Sequence, residues 1–152
     1  MKKENKYEYS LSLIKAVLEG EKDLIANLGN IASVLKYEME IFWVGFYILK
    51  ENELVLGPFQ GPSACTRIAM GRGVCGAAWQ RKDTIIVENV HDFPGHIACN
   101  TASKSEIVVP VFDKNKDIAM VLDLDSDHLG YFDEIDKKYL EEISDLITLQ
   151  VL

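Results

Sequence analysis

The spacing of apolar residues changes twice along this chain, and few folds fit that order. Leu11, Ile14 and Leu18 recur at helical spacing, which predicts a helix over Tyr7–Leu18 with Gly20 as its stop. Leu24, Leu28, Ile31 and Leu35, widened by Ile25 and Ala32, form the stripe of a second amphipathic helix from about Glu21 to Glu38. Beyond it the helical period is lost. Ile41 to Leu49 is apolar, aromatic and β-branched, with Gly45 in its middle. Leu54, Leu56 and Pro58 follow after the polar turn Lys50-Glu51-Asn52-Glu53, and together these read as a hairpin. Thr84 to Val87 reads as a short buried strand. Ile107–Phe112 and Ile118–Leu124 flank Asp113-Lys114-Asn115-Lys116 and read as a second hairpin. Helical spacing returns over Asp133–Leu152, with Asp133 as cap and Ile135, Tyr139, Ile143, Leu146 and Ile147 facing inward. Helices, then hairpins, then a helix predict an antiparallel sheet with helices packed against it.

A chain of 152 residues supports one domain and is too short for two. Its net charge of -8 repels phosphate backbones and anionic membranes, so neither nucleic acid nor a membrane is an expected partner. The run Ile41–Leu49 is about half of the roughly 20 residues a spanning helix needs. The charged start Met1-Lys2-Lys3-Glu4-Asn5-Lys6 has no apolar stretch behind it, and the expected compartment is the cytoplasm.

Two stretches fit no regular element, one from Gly57 to Gly76 and one from Asn89 to Ser105. Long irregular loops in a compact domain are usually functional or disordered. These two hold all three cysteines, Cys65, Cys75 and Cys99, which points to function. An odd count is no disulfide framework, and the spacings match neither C-x2-C zinc knuckles nor C-x-x-C redox pairs. Each cysteine lies in or beside a glycine-containing loop with a basic residue nearby in sequence, a setting that favours thiolate. Buried inert thiols are the alternative.

Other residues could carry chemistry. His91, His96 and Cys99 share a loop and include metal-ligand types, but without a zinc spacing; no metal is expected. Asp123 and Asp125 are two apart, so on a strand they share a face, and Glu106 precedes the partner strand of the same hairpin. Three such acids at a sheet end could hold an ammonium group, or keep one carboxyl protonated as a general acid. Strand ends turning into solvent are the alternative. Trp43 and Tyr47, four apart, share a face of the first strand, either as core or as a ligand wall. Gly71-Arg72-Gly73-Val74-Cys75-Gly76 spells G-x-G-x-x-G but lacks the βαβ context of a dinucleotide site.

These segments together resemble the free methionine-(R)-sulfoxide reductases, which are stand-alone GAF domains. The resemblance is carried by F-W-V-G-F-Y at Phe42–Tyr47, L-G-P-F-Q-G at Leu56–Gly61, A-C-T-R-I at Ala64–Ile68 and G-R-G-V-C-G at Gly71–Gly76. F-P-G-H-I-A-C at Phe93–Cys99, S-E-I-V-V-P at Ser105–Pro110 and L-D-L-D-S at Leu122–Ser126 complete it. It covers most of the chain. It implies an α/β fold of the α+β type: a GAF-like central antiparallel sheet of about six strands with helices against it, one GAF domain over residues 1–152, and commonly a homodimer. Three departures concern substrate affinity rather than the reaction: Asn100 where Asp is common, Ser63 where Lys is frequent, and Ser126-Asp127 in place of Ser-Pro.

The resemblance also implies a reaction. A thiolate attacks the sulfoxide sulfur, the enzyme cysteine becomes a sulfenic acid, and a second thiol condenses with it to a disulfide. A thioredoxin-type dithiol then reduces the disulfide, supplied in turn by NADPH and thioredoxin reductase, with no bound cofactor. Cys99 is the implied nucleophile, Cys65 the resolving partner, and Cys75 an auxiliary or alternative resolving thiol. Glu106, Asp123 and Asp125 would hold the substrate ammonium and protonate the oxygen. Trp43 and Tyr47 would wall the S-methyl group, and backbone amides between Cys99 and Glu106 could receive the carboxylate. Two other readings share parts of the pattern. A non-catalytic GAF module sensing a small ligand, such as a cyclic nucleotide, gives the cysteines no role. A thiol redox switch uses the cysteines and leaves the acids idle.

Overall fold

The computed structural model describes residues 1–96, 99 and 101–152. Helix α1 (Lys3–Leu18) starts before its apolar stripe does. Its first turn is held from outside, because Lys3 Nζ donates to Asp136 at 2.7 Å and to Asp133 at 3.2 Å at the start of the terminal helix. The Tyr7 hydroxyl donates to the same buried Asp136 at 2.5 Å. Helix α2 (Leu24–Glu38) begins after Asp23, whose carboxylate accepts from the Ala26 amide at 2.8 Å as an N-cap. Glu21, expected inside this helix, instead accepts from the amides of Lys22 and Asp23 ahead of it.

Strands β1 (Trp43–Lys50) and β2 (Glu53–Gln60) form the first hairpin, closed by Glu51 and Asn52 with Glu51 at φ 58°. The short strand β3 (Arg67–Ala69), helix α3 (Gly73–Arg81), strand β4 (Ile85–Val87) and a 3-10 turn (Val90–Asp92) follow. Strands β5 (Ser105–Phe112) and β6 (Ile118–Ser126) make the second hairpin, and helix α4 (Glu134–Gln150) ends the fold. The sheet runs β3-β2-β1-β6-β5-β4, every neighbouring pair antiparallel. The hairpins therefore meet at β1 and β6, and the short strands form the edges. This is the GAF-like α/β arrangement of six strands that the resemblance implies.

Alternation divides the sheet between two cores. Val44, Phe46, Ile107, Val109, Val111, Leu122 and Leu124 point to α1, α2 and α4. Trp43, Tyr47, Val108 and Val121 point the other way, toward Val74, Ala78 and Trp79 of α3. Asp133 caps α4 as expected, and the Asp136 carboxylate in turn accepts from the Asp133 amide, completing a capping box. Ser144 Oγ on α4 donates to the Pro110 carbonyl at 2.8 Å, which ties the helix to β5. Among the described residues, no helix is long and apolar enough to cross a membrane.

The stretch expected to be irregular over Gly57–Gly76 is mostly regular. It contains the end of β2, all of β3 and the start of α3. β3 is three residues long and buries only Ile68, too short for alternation to mark it in the sequence. α3 is nine residues long with Gly73 and Gly76 in its first turns, a poor helix former by propensity. Packing overrides that preference: a Cβ at Gly76 would stand 2.6 Å from the Ala69 carbonyl oxygen, so only glycine lets α3 lie this close to β3. Glu106 and Asp125, expected at strand ends, lie inside β5 and β6.

Candidate active site

Strand register assembles the acids. Across β5, β6 and β1, Glu106 pairs with Asp125 and Asp125 with Trp43; one row on, Val108 pairs with Asp123 and Asp123 with Gly45. Both rows face α3. Glu106 and Asp123 are 7% and 5% exposed, so these are not strand ends turning into solvent. Asp125 is partly buried beside them.

Three carboxyls in so little water do not all ionise. Burial, reinforced by the charges of Asp123 and Asp125, holds Glu106 well above the usual carboxylate range. Burial and then Asp123 do the same for Asp125. Asp123 is raised by burial too, but Glu106, Cys75 and Asp125 offer it hydrogen bonds that pull it back down. Negative charge therefore settles first on Asp123. One of its oxygens, Oδ1, is buried and has no donor of its own among the described residues, unless a neighbouring carboxyl carries a proton or a cation arrives.

The cysteines divide into two kinds. Cys65 and Cys99 form a disulfide, with Cα atoms 5.3 Å apart and a sequence separation of 34. Cys75 is free and buried in the first turn of α3, its sulfur 4.0 Å from Glu106 Oε2. The basic neighbour in sequence misleads at this position. Burial and the three acids push the Cys75 thiol well above its ordinary value, so it stays a neutral thiol.

Trp43 and Tyr47 wall the same space. The Trp43 indole stacks on Tyr47 at 6.1 Å and on Phe59 at 5.4 Å between ring centroids. It lies over Gly45, where any Cβ would overlap the indole ring and the Phe59 Cβ. The indole Nε1 donates to the Pro62 carbonyl at 2.9 Å, and the Tyr47 hydroxyl donates to the Cys65 carbonyl at 2.9 Å.

One cavity brings these groups together. Trp43, Tyr47, Cys75, Cys99, Glu106, Asp123 and Asp125 all line it, and Cys65 meets it through its bond to Cys99. Arg72, and Gly73 and Val74 beside Cys75 in the first turn of α3, line it as well, and sequence reasoning did not place these three in the site. The available signal was the G-x-G-x-x-G segment, which does open a helix here, after an antiparallel edge strand rather than in a βαβ unit. Ser63, one of the departures from the family pattern, lines the cavity; Asn100 lies outside the described residues, as do Ile97 and Ala98 of the F-P-G-H-I-A-C segment. His91 and His96 stack edge to face at 6.0 Å. Among the described residues, the group with metal-ligand spacing is Cys75, Glu106 and Asp123 rather than that loop.

The arrangement suits transfer of oxygen from a small polar molecule to a thiol: a disulfide-bonded cysteine pair, carboxyls that burial pushes toward the protonated form and an aromatic wall face one cavity. Comparison with known proteins agrees in fold and in family. A GAF domain profile matches residues 21–149. GAF domain-containing protein A of Dictyostelium discoideum is 58% identical, over 95% of this chain and 92% of that protein. Free methionine-R-sulfoxide reductase of Escherichia coli is 47% identical, over 91% of this chain and 86% of that protein. The structure of free methionine-R-sulfoxide reductase from Neisseria meningitidis in complex with its substrate superimposes with a TM-score of 0.96 at 48% identity, over 99% of this chain and 90% of that one. This chain belongs to the GAF-domain family of free methionine-R-sulfoxide reductases.

Proposed function

We propose that this protein, as one GAF domain over residues 1–152, reduces free L-methionine-(R)-sulfoxide to L-methionine. The observation that carries the reading is the meeting of the Cys65–Cys99 disulfide with a buried row of acids in one cavity. Membership in the reductase family supports the substrate and its (R) configuration.

In the reduced enzyme the Cys99 thiolate attacks the sulfoxide sulfur. Glu106 or Asp125, held protonated by burial, gives a proton to the oxygen as the S–O bond weakens. The protonated oxygen passes from the substrate sulfur to the Cys99 sulfur as the bond between the two sulfurs breaks, which leaves Cys99 as a sulfenic acid and releases methionine as the thioether. The Cys65 thiol then attacks that sulfur, the S–S bond forms and water leaves. Asp123, the first acid to ionise, pairs with the substrate ammonium through its unpartnered oxygen. Trp43 and Tyr47 enclose the S-methyl group. Cys75 stays a neutral thiol against Glu106. The substrate carboxylate is received at the mouth, by amides of the loop between Cys99 and Glu106. A thioredoxin-type dithiol restores the pair, drawing on NADPH through thioredoxin reductase, and the working form is a cytoplasmic homodimer.

The test is a coupled assay with thioredoxin, thioredoxin reductase and NADPH, using free L-methionine-(R)-sulfoxide and the (S) epimer separately. NADPH oxidation with the (R) form only, abolished by Cys99→Ser, is the expected result. Turnover with neither epimer would overturn the reading, and binding of a cyclic nucleotide in its place would make the domain a sensor.

A further inference from the structure

We propose that Trp43 and Tyr47, besides walling the cavity, are positioning residues for the resolving cysteine: they hold the loop of residues 61–66 so that the Cys65 sulfur stays within reach of Cys99. The inference rests on the roles assigned above to those two cysteines.

Besides the Cys65–Cys99 disulfide and the packing of Ala64 against the core under α3, little else holds this loop among the described residues. Between the end of β2 at Gln60 and the start of β3 at Arg67 it forms no ladder, and residues 61–63 are exposed. Among the described residues its backbone is anchored at three carbonyls. The Thr66 carbonyl accepts from the Leu56 amide at 3.0 Å, which fixes only the far end. The Pro62 carbonyl accepts from Trp43 Nε1, and the carbonyl of Cys65 itself accepts from the Tyr47 hydroxyl, each at 2.9 Å. Gly61, at φ 135°, rests on the indole: a Cβ there would stand 2.6 Å from Trp43 Cδ1 and 3.1 Å from the Phe42 carbonyl oxygen. Both donors belong to β1, an interior strand paired on one side by β2 and on the other by β6. Burial and the nearby acids keep the Tyr47 hydroxyl protonated, so it remains a donor across the neutral range.

The consequence lies in the second chemical step. When Cys99 carries a sulfenic acid, the Cys65 thiol gives up its proton and its sulfur attacks. The S–S bond forms, the S–O bond breaks, and the hydroxyl leaves as water with that proton. The rate depends on how often the two sulfurs meet in line, which is an orientation effect. A loose loop leaves the sulfenic acid waiting and open to further oxidation.

Hydrogen peroxide separates this step from sulfoxide binding, because it oxidises the Cys99 thiolate to the sulfenic acid and is itself reduced to water. Reduced wild type, Tyr47→Phe and Trp43→Phe are each given one equivalent of peroxide. Disulfide closure is followed by loss of free thiol, and Cys99 sulfenic acid by dimedone capture and peptide mass spectrometry. Tyr47→Phe keeps its ring and loses only the hydroxyl, while Trp43→Phe loses the indole Nε1 together with the ring edge under Gly61. Closure is expected to slow by about five- to tenfold in Tyr47→Phe, the worth of one hydrogen bond, and by at least as much in Trp43→Phe. The dimedone adduct at Cys99 is expected to rise in parallel. A variant merely loosened elsewhere would not lengthen the life of the sulfenic acid. Closure in both variants within twofold of wild type, with no extra adduct, overturns the inference. A wild type that closes its disulfide with peroxide but releases no methionine from the sulfoxide overturns the proposed function instead, and the variants still decide the positioning role.

Discussion

Gly45 stands directly opposite Asp123 across the β1–β6 pair, and the space a side chain would fill above the glycine is taken by the indole of Trp43. The aromatic wall and the acid row therefore share one missing Cβ. Gly45→Ala places a methyl group into the indole and the Phe59 Cβ, and overpacking of this kind costs about 1–3 kcal/mol. Urea unfolding is expected to register that loss, with weaker substrate binding as the indole is displaced. Unfolding at the wild-type midpoint would mean that the indole can move aside freely.

Glu106 supplies a prediction in pH. Its folded-state pKa is raised, as is that of Asp125, while in the unfolded chain both groups titrate as ordinary carboxylates. Below the ordinary range both states hold the protons, and the stability these groups contribute is complete. As pH rises from there, the unfolded chain releases protons that the folded one keeps, so stability falls until the raised folded values are passed. The substrate-free protein is expected to lose thermal stability between pH 5 and pH 8, and Glu106→Gln to lose less of it. The same variant is expected to turn over roughly 100- to 10,000-fold more slowly, as for a lost general acid. Equal pH slopes for both proteins would show that Glu106 is ionised in the folded state.

Preference for the free amino acid is expected from Asp123 Oδ1, which is buried and has no partner among the described residues. N-acetyl-methionine sulfoxide fits the same sulfur chemistry but brings no charge to that oxygen. A site built around a buried polar partner rejects a substrate lacking it by roughly 10,000-fold. Measured kcat/KM for the two compounds is expected to differ on that scale, and comparable values would remove the acids from ammonium recognition.

Cys75 is expected to resist alkylation. After reduction of the disulfide, iodoacetamide at pH 8 should label Cys65 and Cys99 in the native protein. Cys75 should be labelled only after unfolding, because its thiol is both buried and held protonated. Peptide mapping by mass spectrometry reads all three positions at once. Rapid native labelling of Cys75 would place that thiol in contact with solvent.

Much of this architecture is written in local spacing. The stripes of α1, α2 and α4 and the alternation of the two hairpins can be read residue by residue, because helix and strand periods are properties of a short stretch of chain. The shared face of Asp123 and Asp125 belongs to the same class. So does the cap at Asp133, where a short side chain bonds to its own helix.

What escaped local reading depends on distant neighbours. β3 and α3 exist because Gly76 lets them touch, against the helix propensity of their own residues. Glu106 joins Asp125 only through the register of β5 on β6, and one residue of slip would turn it to the opposite face. Cys75 has Arg72 near it along the chain but acids around it in space, which reverses the state of its thiol. The pairing of Cys65 with Cys99 across 34 residues, and the grip of Trp43 and Tyr47 on the loop between β2 and β3, follow from packing two hairpins and a helix around one cavity. Periodicity tells a segment which face to bury; which charges, thiols and carbonyls then meet is decided by the segments buried against it.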